Sequence, residues 1–208
     1  MLKILGKAAS INVRKVLWAC DELGLAYERE DWGPGCRDTR TPDYLGLNPN
    51  GLIPVLIDGD IVLWESNTII RYLAAAYGGS ALLPAAPAAR ARVEQWMDWQ
   101  ATEFNASWRY AFQALVRRSP EHTDERAIAA SVAEWNRHIA ILEGQLDKTG
   151  AHVTGPDFTL ADIPIGLSVN RWVAAPIPAR PAMPAVAAYY ERLTLRPAFR
   201  IHGRNGTP

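Results

Sequence analysis

Across 208 residues the 22 basic and 22 acidic side chains cancel, so charge gives no reason to expect nucleic acid or an anionic membrane as partner. Hydrophobic residues make up 49% and charged residues 21%, an ordinary globular balance with apolar material for one large domain or two small ones. No apolar run approaches the ~20 residues that span a bilayer, the opening Met1-Leu2-Lys3-Ile4 lacks the long apolar region and cleavage site of a leader, and two cysteines make no disulfide framework; the expectation is a cytoplasmic protein.

The chain opens with a short buried strand, Leu2 to Leu5, that ends at Gly6. After the loop Lys7 to Asn12, Val13, Val16, Leu17, Cys20 and Leu23 recur at helical spacing, and Gly24 fits the helix end. Tyr27 to Trp32 reads as a second strand, followed by the Gly33-Pro34-Gly35 loop. Thr41-Pro42 reads as the cap and first position of a short helix. The turn formers Asn48, Pro49, Asn50 and Gly51 precede two β-branched runs, Val55-Leu56-Ile57 and Ile61-Val62-Leu63, with Asp58-Gly59-Asp60 as a hairpin turn. A helix then starts at Glu65-Ser66 with Ile69, Ile70 and Leu73 on its apolar face.

Composition makes 79–87 a linker, which divides the chain into 1–78, an α/β domain of order βαβαββα, and 88–208, an all-helical domain. In the latter an unbroken helix is expected from Ala88 to about Arg118, and a second from about Asp124 to Asp147. Phe158-Thr159-Leu160-Ala161-Asp162-Ile163 carries a helix-start signature, with Thr159 as cap and Asp162 reaching back to it. Met183 to Leu195 is the next amphipathic helix. His122, His138, His152 and His202 are scattered without metal-ligand spacing, so surface or capping roles are expected and no metal.

On residue type alone, the positions that could carry chemistry have plainer readings. Ser10, Asn12 and Ser66 suit helix caps, Pro54 suits a trans proline opening an edge strand, and the exposed-looking Cys36 is an incidental loop thiol. The aromatic-rich segment with Met97, Phe104, Trp108 and Phe112 suits a helical core, although it would equally line a pocket for an apolar ligand.

In combination these residues read differently. Asn48-Pro49-x-Gly51-x-Ile53-Pro54, then, after a hairpin, Glu65-Ser66 with Ile69 and Arg71-Tyr72-Leu73, resembles the glutathione-binding half of the glutathione S-transferase family. Ser10-Ile11-Asn12-Val13-Arg14-Lys15-Val16 resembles that family's serine-type, theta-like or related bacterial members. The resemblance implies a thioredoxin-like first domain, a helical second domain and a cis peptide before Pro54. It implies a glutathione site built from Asn50, Leu52, Ile53, Pro54, Glu65 and Ser66, in which the Ile53 backbone pairs with the cysteinyl part and Glu65-Ser66 holds the γ-glutamyl end.

It further implies that Ser10 first, and Asn12 second, holds the glutathione sulfur as thiolate, a form that a free thiol of pKa ≈ 8.5 scarcely populates at neutral pH. Met97, Phe104, Trp108 and Phe112 would then meet a hydrophobic electrophile, and the enzyme would be a homodimeric glutathione transferase. One departure stands out: relatives often carry a lysine where this chain has Leu52, so the glycyl carboxylate must look to Asn50, Lys7 or Arg37. The alternatives are a glutathione-dependent disulfide or peroxide reductase, in which Asn12 matters more, and a non-catalytic binder of glutathione or hydrophobic ligands.

Overall fold

Four short strands of the first unit, β1 (Leu2–Leu5), β2 (Tyr27–Glu30), β3 (Val55–Asp58) and β4 (Ile61–Trp64), pair into one sheet of order β2-β1-β3-β4 in the computed structural model, which describes residues 1–204. Strand β1 lies parallel to β2, with Leu2 beside Tyr27 and Leu5 beside Glu30. The helix α1 (Ile11–Glu22) makes that parallel crossover possible. After α2 (Pro42–Leu47), β3 runs antiparallel to β1, and β4 pairs with β3 across the Gly59 turn. Helix α3 (Ser66–Ala76) closes the βαβαββα order expected for a thioredoxin-like domain.

β2 stops at Glu30, short of the expected Trp32. Trp32 lies past the ladder: its carbonyl accepts from Lys7 N–H, and it forms an isolated bridge with Arg37 around the Gly33-Pro34-Gly35 turn. The core packs Ile4, Leu5, Val55 and Leu56 of the sheet with Val13, Val16 and Leu17 of α1 and with Ile69, Ile70 and Leu73 of α3, all buried. Cys20 is buried in the same helix. Burial, reinforced by Asp21, pushes its thiol up to about 12, so it stays neutral and unreactive.

The second unit is helical. It contains α4 (Pro87–Trp99), a π-helical turn (Gln100–Phe104), α5 (Asn105–Ser107), α6 (Arg109–Leu115), α7 (Glu125–Thr149), α8 (Asp162–Ala174) and α9 (Pro184–Thr194). The single helix expected over 88–118 is therefore interrupted, though it holds neither glycine nor proline. Side chains compete with its ladder instead: Thr102 Oγ1 bonds back to the Asp98 carbonyl at 2.9 Å and Ser107 Oγ to the Phe104 carbonyl at 2.7 Å. Buried Gln100 reaches out of the turn to Ser168 Oγ at 3.0 Å.

Asp124 caps α7 by accepting from Arg126 N–H and Ala127 N–H, and Gly150, at φ 74°, ends it in the left-handed conformation. Glu143, on α7, spans the leading end of α9 by accepting from Ala185 N–H and Val186 N–H at 2.9 and 2.8 Å.

At the start of α8 Asp162 reaches back as expected, but Thr159 does not cap. Its N–H and its hydroxyl both donate to Asp162 Oδ2, at 2.8 and 3.2 Å. Asp162 Oδ1 accepts from Val153 N–H at 3.0 Å and from Tyr189 O–H at 3.1 Å. The carboxylate is fully enclosed. Burial pushes its pKa up, opposed by the donors, and the same burial with Asp162 beside it pushes the Tyr189 phenol well above its ordinary value.

The last helix, α10 (Pro197–His202), has no counterpart in the sequence reading, and residues 198–204 group with the first unit. Phe199 packs on Trp18 with ring centroids 5.0 Å apart, and His202 Nε2 lies 2.7 Å from Asp21 Oδ2. The helical domain was expected to run on to Pro208; residues 205–208 lie outside the described ones. The histidines also differ from expectation, because His138, His152 and His202 are buried. His138 Nδ1 donates to the Glu134 carbonyl and His152 Nδ1 to that of Pro156.

Candidate functional site

The loop between β1 and α1 is pinned at several points. Lys7 N–H donates to the Trp32 carbonyl, Ser10 N–H to that of Lys7, and buried Arg14 sends Nε to the Ala8 carbonyl at 3.0 Å. Gly6 is required at the start: a Cβ there would lie 2.5 Å from Val13 Cγ2 and 3.2 Å from Ile53 Cβ. Ser10 occupies the N-cap of α1 in extended conformation, and its carbonyl accepts from Arg14 N–H. Its hydroxyl makes no capping bond. Ser10 thus holds the cap position without using its hydroxyl there, which leaves a half-exposed hydroxyl at the positive end of a 12-residue helix.

The leading end of α3 comes to the same place. Ser66 is its first residue and is buried, and its hydroxyl donates to Asn12 Oδ1 at 3.4 Å. With that oxygen engaged, the Asn12 amide nitrogen remains as a donor. Two helix N-termini thus converge, a setting that favours anions. Glu65 turns the chain from β4 directly into α3 at φ 68° and ψ 106°, a left-handed conformation that is costly for a non-glycine residue. Its side chain makes no cap bond and is exposed.

The third part is the loop before β3. The Ile53–Pro54 bond is cis. Ile53 side-chain atoms pack against the apolar knot of Leu5, Tyr44 and Val55 with Trp32. Its own N–H and C=O make no backbone hydrogen bond among the described residues. Leu52 is 60% exposed and offers no charge. The three substitutes expected for a lysine there are already engaged: Asn50 donates N–H and Nδ2 to Asn48 Oδ1, Lys7 donates to the Pro34 carbonyl, and Arg37 pairs with Glu30 at 2.6 Å.

Arg40, which the sequence reading passed over, lies over this loop. A Cβ on Gly51, which sits at φ 62°, would come within 3.1 Å of Arg40 Nη1. The available signal was the polar run Arg37-Asp38-Thr39-Arg40-Thr41 before Pro42, in which Arg40 is the cation nearer the Asn48-Pro49 motif.

Glu30 organises the outer wall. It receives Lys3, Trp32 Nε1 at 3.1 Å and Arg37, and the Lys3 and Trp32 hydrogen bonds hold its carboxyl below the ordinary range. A carboxyl lowered in the folded state adds stability above its unfolded pKa of ~4.3, and that stability is lost as pH falls through the folded value. Glu30→Gln should therefore lower the urea midpoint at pH 7, by under about 1 kcal/mol because the pairs are partly exposed. The gap to wild type should close below about pH 4. An equal gap at pH 3 and pH 7 would contradict the assignment.

Cys36 is exposed in the same loop, where its N–H closes a turn onto the Gly33 carbonyl. In the helical unit Met97, Phe104, Trp108 and Phe112 are all buried. Phe104 contacts Trp99, and the Trp108 and Phe112 rings flank the Arg171 guanidinium at 4.3 and 4.1 Å. These rings are packed within their own unit.

The first unit is thus a thioredoxin-like sheet with two converging helix N-termini and, at Ile53, a residue whose N–H and C=O make no backbone hydrogen bond among the described residues. Residues 9–76 match the family model for the glutathione S-transferase N-terminal domain. The chain is 39% identical over 202 residues to glutathione S-transferase GstB of Escherichia coli, covering 96% of each. It is 36% identical over 208 residues to glutathione S-transferase 3 of Zea mays, covering 96% of this chain and 91% of that one. The glutathione-bound theta class glutathione S-transferase of Xanthomonas axonopodis pv. citri superposes with a TM-score of 0.91 at 40% identity, covering 100% of this chain and 99% of that one. The chain belongs to the glutathione S-transferase family.

Proposed function

We propose that this glutathione transferase binds glutathione along Ile53 and at the joined leading ends of α1 and α3, and that Ser10 holds its sulfur as thiolate. The observation that carries the reading is the Ser10 hydroxyl, free of any capping bond at a helix N-terminus. The γ-glutamyl carboxylate would sit at the α3 N-terminus beside Ser66, with the exposed Glu65 carboxylate for its ammonium. The cysteinyl backbone would pair with the unengaged N–H and C=O of Ile53. Asn12 would add its amide nitrogen as a second donor near the sulfur. The thiolate then attacks a hydrophobic electrophile, so catalysis rests on orientation and electrostatics.

Met97, Phe104, Trp108 and Phe112 remain the proposed apolar contacts for that electrophile, with their burial giving them a packing role first. A homodimer in the cytoplasm belongs to the same reading. Exposed Ile61, Val62 and Trp64 along the edge strand β4 support a covered face there. No described helix is long and apolar enough to cross a membrane.

Calorimetric titration with glutathione, followed by turnover of a chlorodinitrobenzene-type substrate, tests the reading. Saturable binding with conjugation supports it. Turnover of glutathione-linked disulfides alone would select the reductase reading, and binding without turnover the carrier.

Arg40 is our choice for the glycyl carboxylate in place of the missing lysine at Leu52. Arg40→Ala should raise KM for glutathione about tenfold, the scale of one lost charged contact. It should leave KM for γ-glutamylcysteine, which lacks the glycine, unchanged. Equal losses for both peptides would remove Arg40 from that role.

A further inference from the structure

The loop that presents Ile53 is held from behind by two buried side chains, and their target is one oxygen. Tyr44 is wholly enclosed on α2, with its ring 4.8 Å from that of Trp32, and its hydroxyl donates to the Leu52 carbonyl at 2.8 Å. Asn48 Nδ2 donates to the same oxygen, also at 2.8 Å. Asn48 is itself fixed on every side: Oδ1 accepts from Asn50, its N–H donates to the Tyr44 carbonyl, and its C=O accepts from Gly51 N–H at 2.9 Å. Burial pushes the Tyr44 phenol up to about 12, so it remains an O–H donor at physiological pH.

A carbonyl oxygen has two lone pairs, and here both are occupied by protein donors. The Leu52 carbonyl is therefore closed to a ligand and fixed in direction. The only cis bond among the described residues is Ile53–Pro54, so the Leu52–Ile53 peptide is trans. In a planar trans peptide the C=O of one residue and the N–H of the next point in opposite directions. Anchoring the Leu52 oxygen toward Tyr44 and Asn48 therefore aims the Ile53 N–H away from them, and no backbone acceptor claims it among the described residues.

We propose that Tyr44, seconded by Asn48, is a positioning residue for the bound peptide: by gripping the Leu52 carbonyl it sets the direction of the Ile53 N–H donor. This rests on the reading of Ile53 as the backbone partner of glutathione. Neither side chain touches the ligand in this arrangement. Their effect reaches it through one rigid peptide plane, so it falls on peptide affinity and not on the chemistry at sulfur.

Tyr44→Phe keeps the ring and its contact with Trp32 and deletes only the donor. KM for glutathione should rise about fivefold to tenfold, the scale of one hydrogen bond. The saturated kcat, the KM for the electrophile and the pH profile of kcat should stay as in wild type. Asn48→Asp keeps the acceptor for Asn50 but sets an oxygen against the Leu52 carbonyl, so its glutathione KM should rise further. Calorimetric binding of glutathione and circular dichroism on both variants separate affinity from folding.

An unchanged glutathione KM in both variants, or a parallel loss in kcat and both KM values with intact fold, overturns the positioning role. A wild type that fails to bind glutathione at millimolar concentration overturns the functional reading and this inference with it. A wild type that binds, alongside variants of equal affinity, overturns this inference alone.

Discussion

Replacing Ser10 with alanine lowers kcat/KM for conjugation at pH 7 about tenfold to a hundredfold, while the KM for glutathione stays close to wild type. The first half follows from the acid–base state of the thiol. Free glutathione has a thiol pKa near ~8.5, and each unit of depression by the enzyme reflects ~1.4 kcal/mol of preferential stabilisation of the anion. The Ser10 hydroxyl is the donor left over by helix capping, and it stands where the dipole of α1 adds to it. The second half follows because the contacts proposed for the peptide lie elsewhere, at Ile53 and at Ser66. The sharper readout is the pH profile: the apparent thiol pKa in kcat/KM should move back toward ~8.5 in Ser10→Ala and stay depressed in Ser10→Thr, which retains a hydroxyl. Rates for Ser10→Ala that match wild type would falsify the assignment and pass the role to Asn12, whose amide nitrogen is the next donor at that helix end.

Asp162→Ala produces the largest loss of stability, about 4 kcal/mol, with a fall in the thermal midpoint of roughly 10 °C. The aspartate accepts from Val153 N–H, Tyr189 O–H, Thr159 N–H and the Thr159 hydroxyl, and it is fully buried. Alanine leaves the Val153 and Thr159 N–H groups without an acceptor, each costing about 1–3 kcal/mol if nothing relaxes. The Tyr189 hydroxyl keeps the backbone carbonyl of residue 162 and the Thr159 hydroxyl keeps Thr154 Oγ1; the lost charge-assisted bonds of those two hydroxyls add to the cost. The sum is reduced because water can enter the vacated space. Urea unfolding followed by far-ultraviolet circular dichroism measures the loss, and a change under about 1 kcal/mol would show that the cluster is dispensable. The glutathione KM of the folded fraction should be unaffected, which separates this variant from the site variants.

Much of this was legible in the sequence because local chemistry and global fold agree there. The β-branched runs on either side of Asp58-Gly59-Asp60 have one good solution, the β3–β4 hairpin, and the Asn48 to Ser66 motif picks out the residues of the proposed site. The helix break after Trp99 was not legible. Hydroxyl-to-carbonyl bonds from Thr102 and Ser107 accompany it, and their geometry leaves no periodic trace in composition. The state of the Ser10 hydroxyl was equally hidden, since serine before a helix reads as a cap whether or not its oxygen is used. Arg40 escaped notice because its relevance lies in a crossing of chain segments, at residues 40 and 51, over a glycine that leaves room for it. Tyr44 looked like an ordinary apolar position of a short helix, and only the direction of its hydroxyl gives it a task.

The return of α10 to α1, with Phe199 against Trp18 and His202 beside Asp21, bears on how the gene can be dissected. A fragment cut at the apparent domain border would carry the whole sheet yet bare the indole of Trp18 and orphan the Asp21 carboxylate. The first unit is thus completed by a stretch that follows the whole helical unit in sequence, and exchanging halves between relatives requires that α10 travel with the sheet.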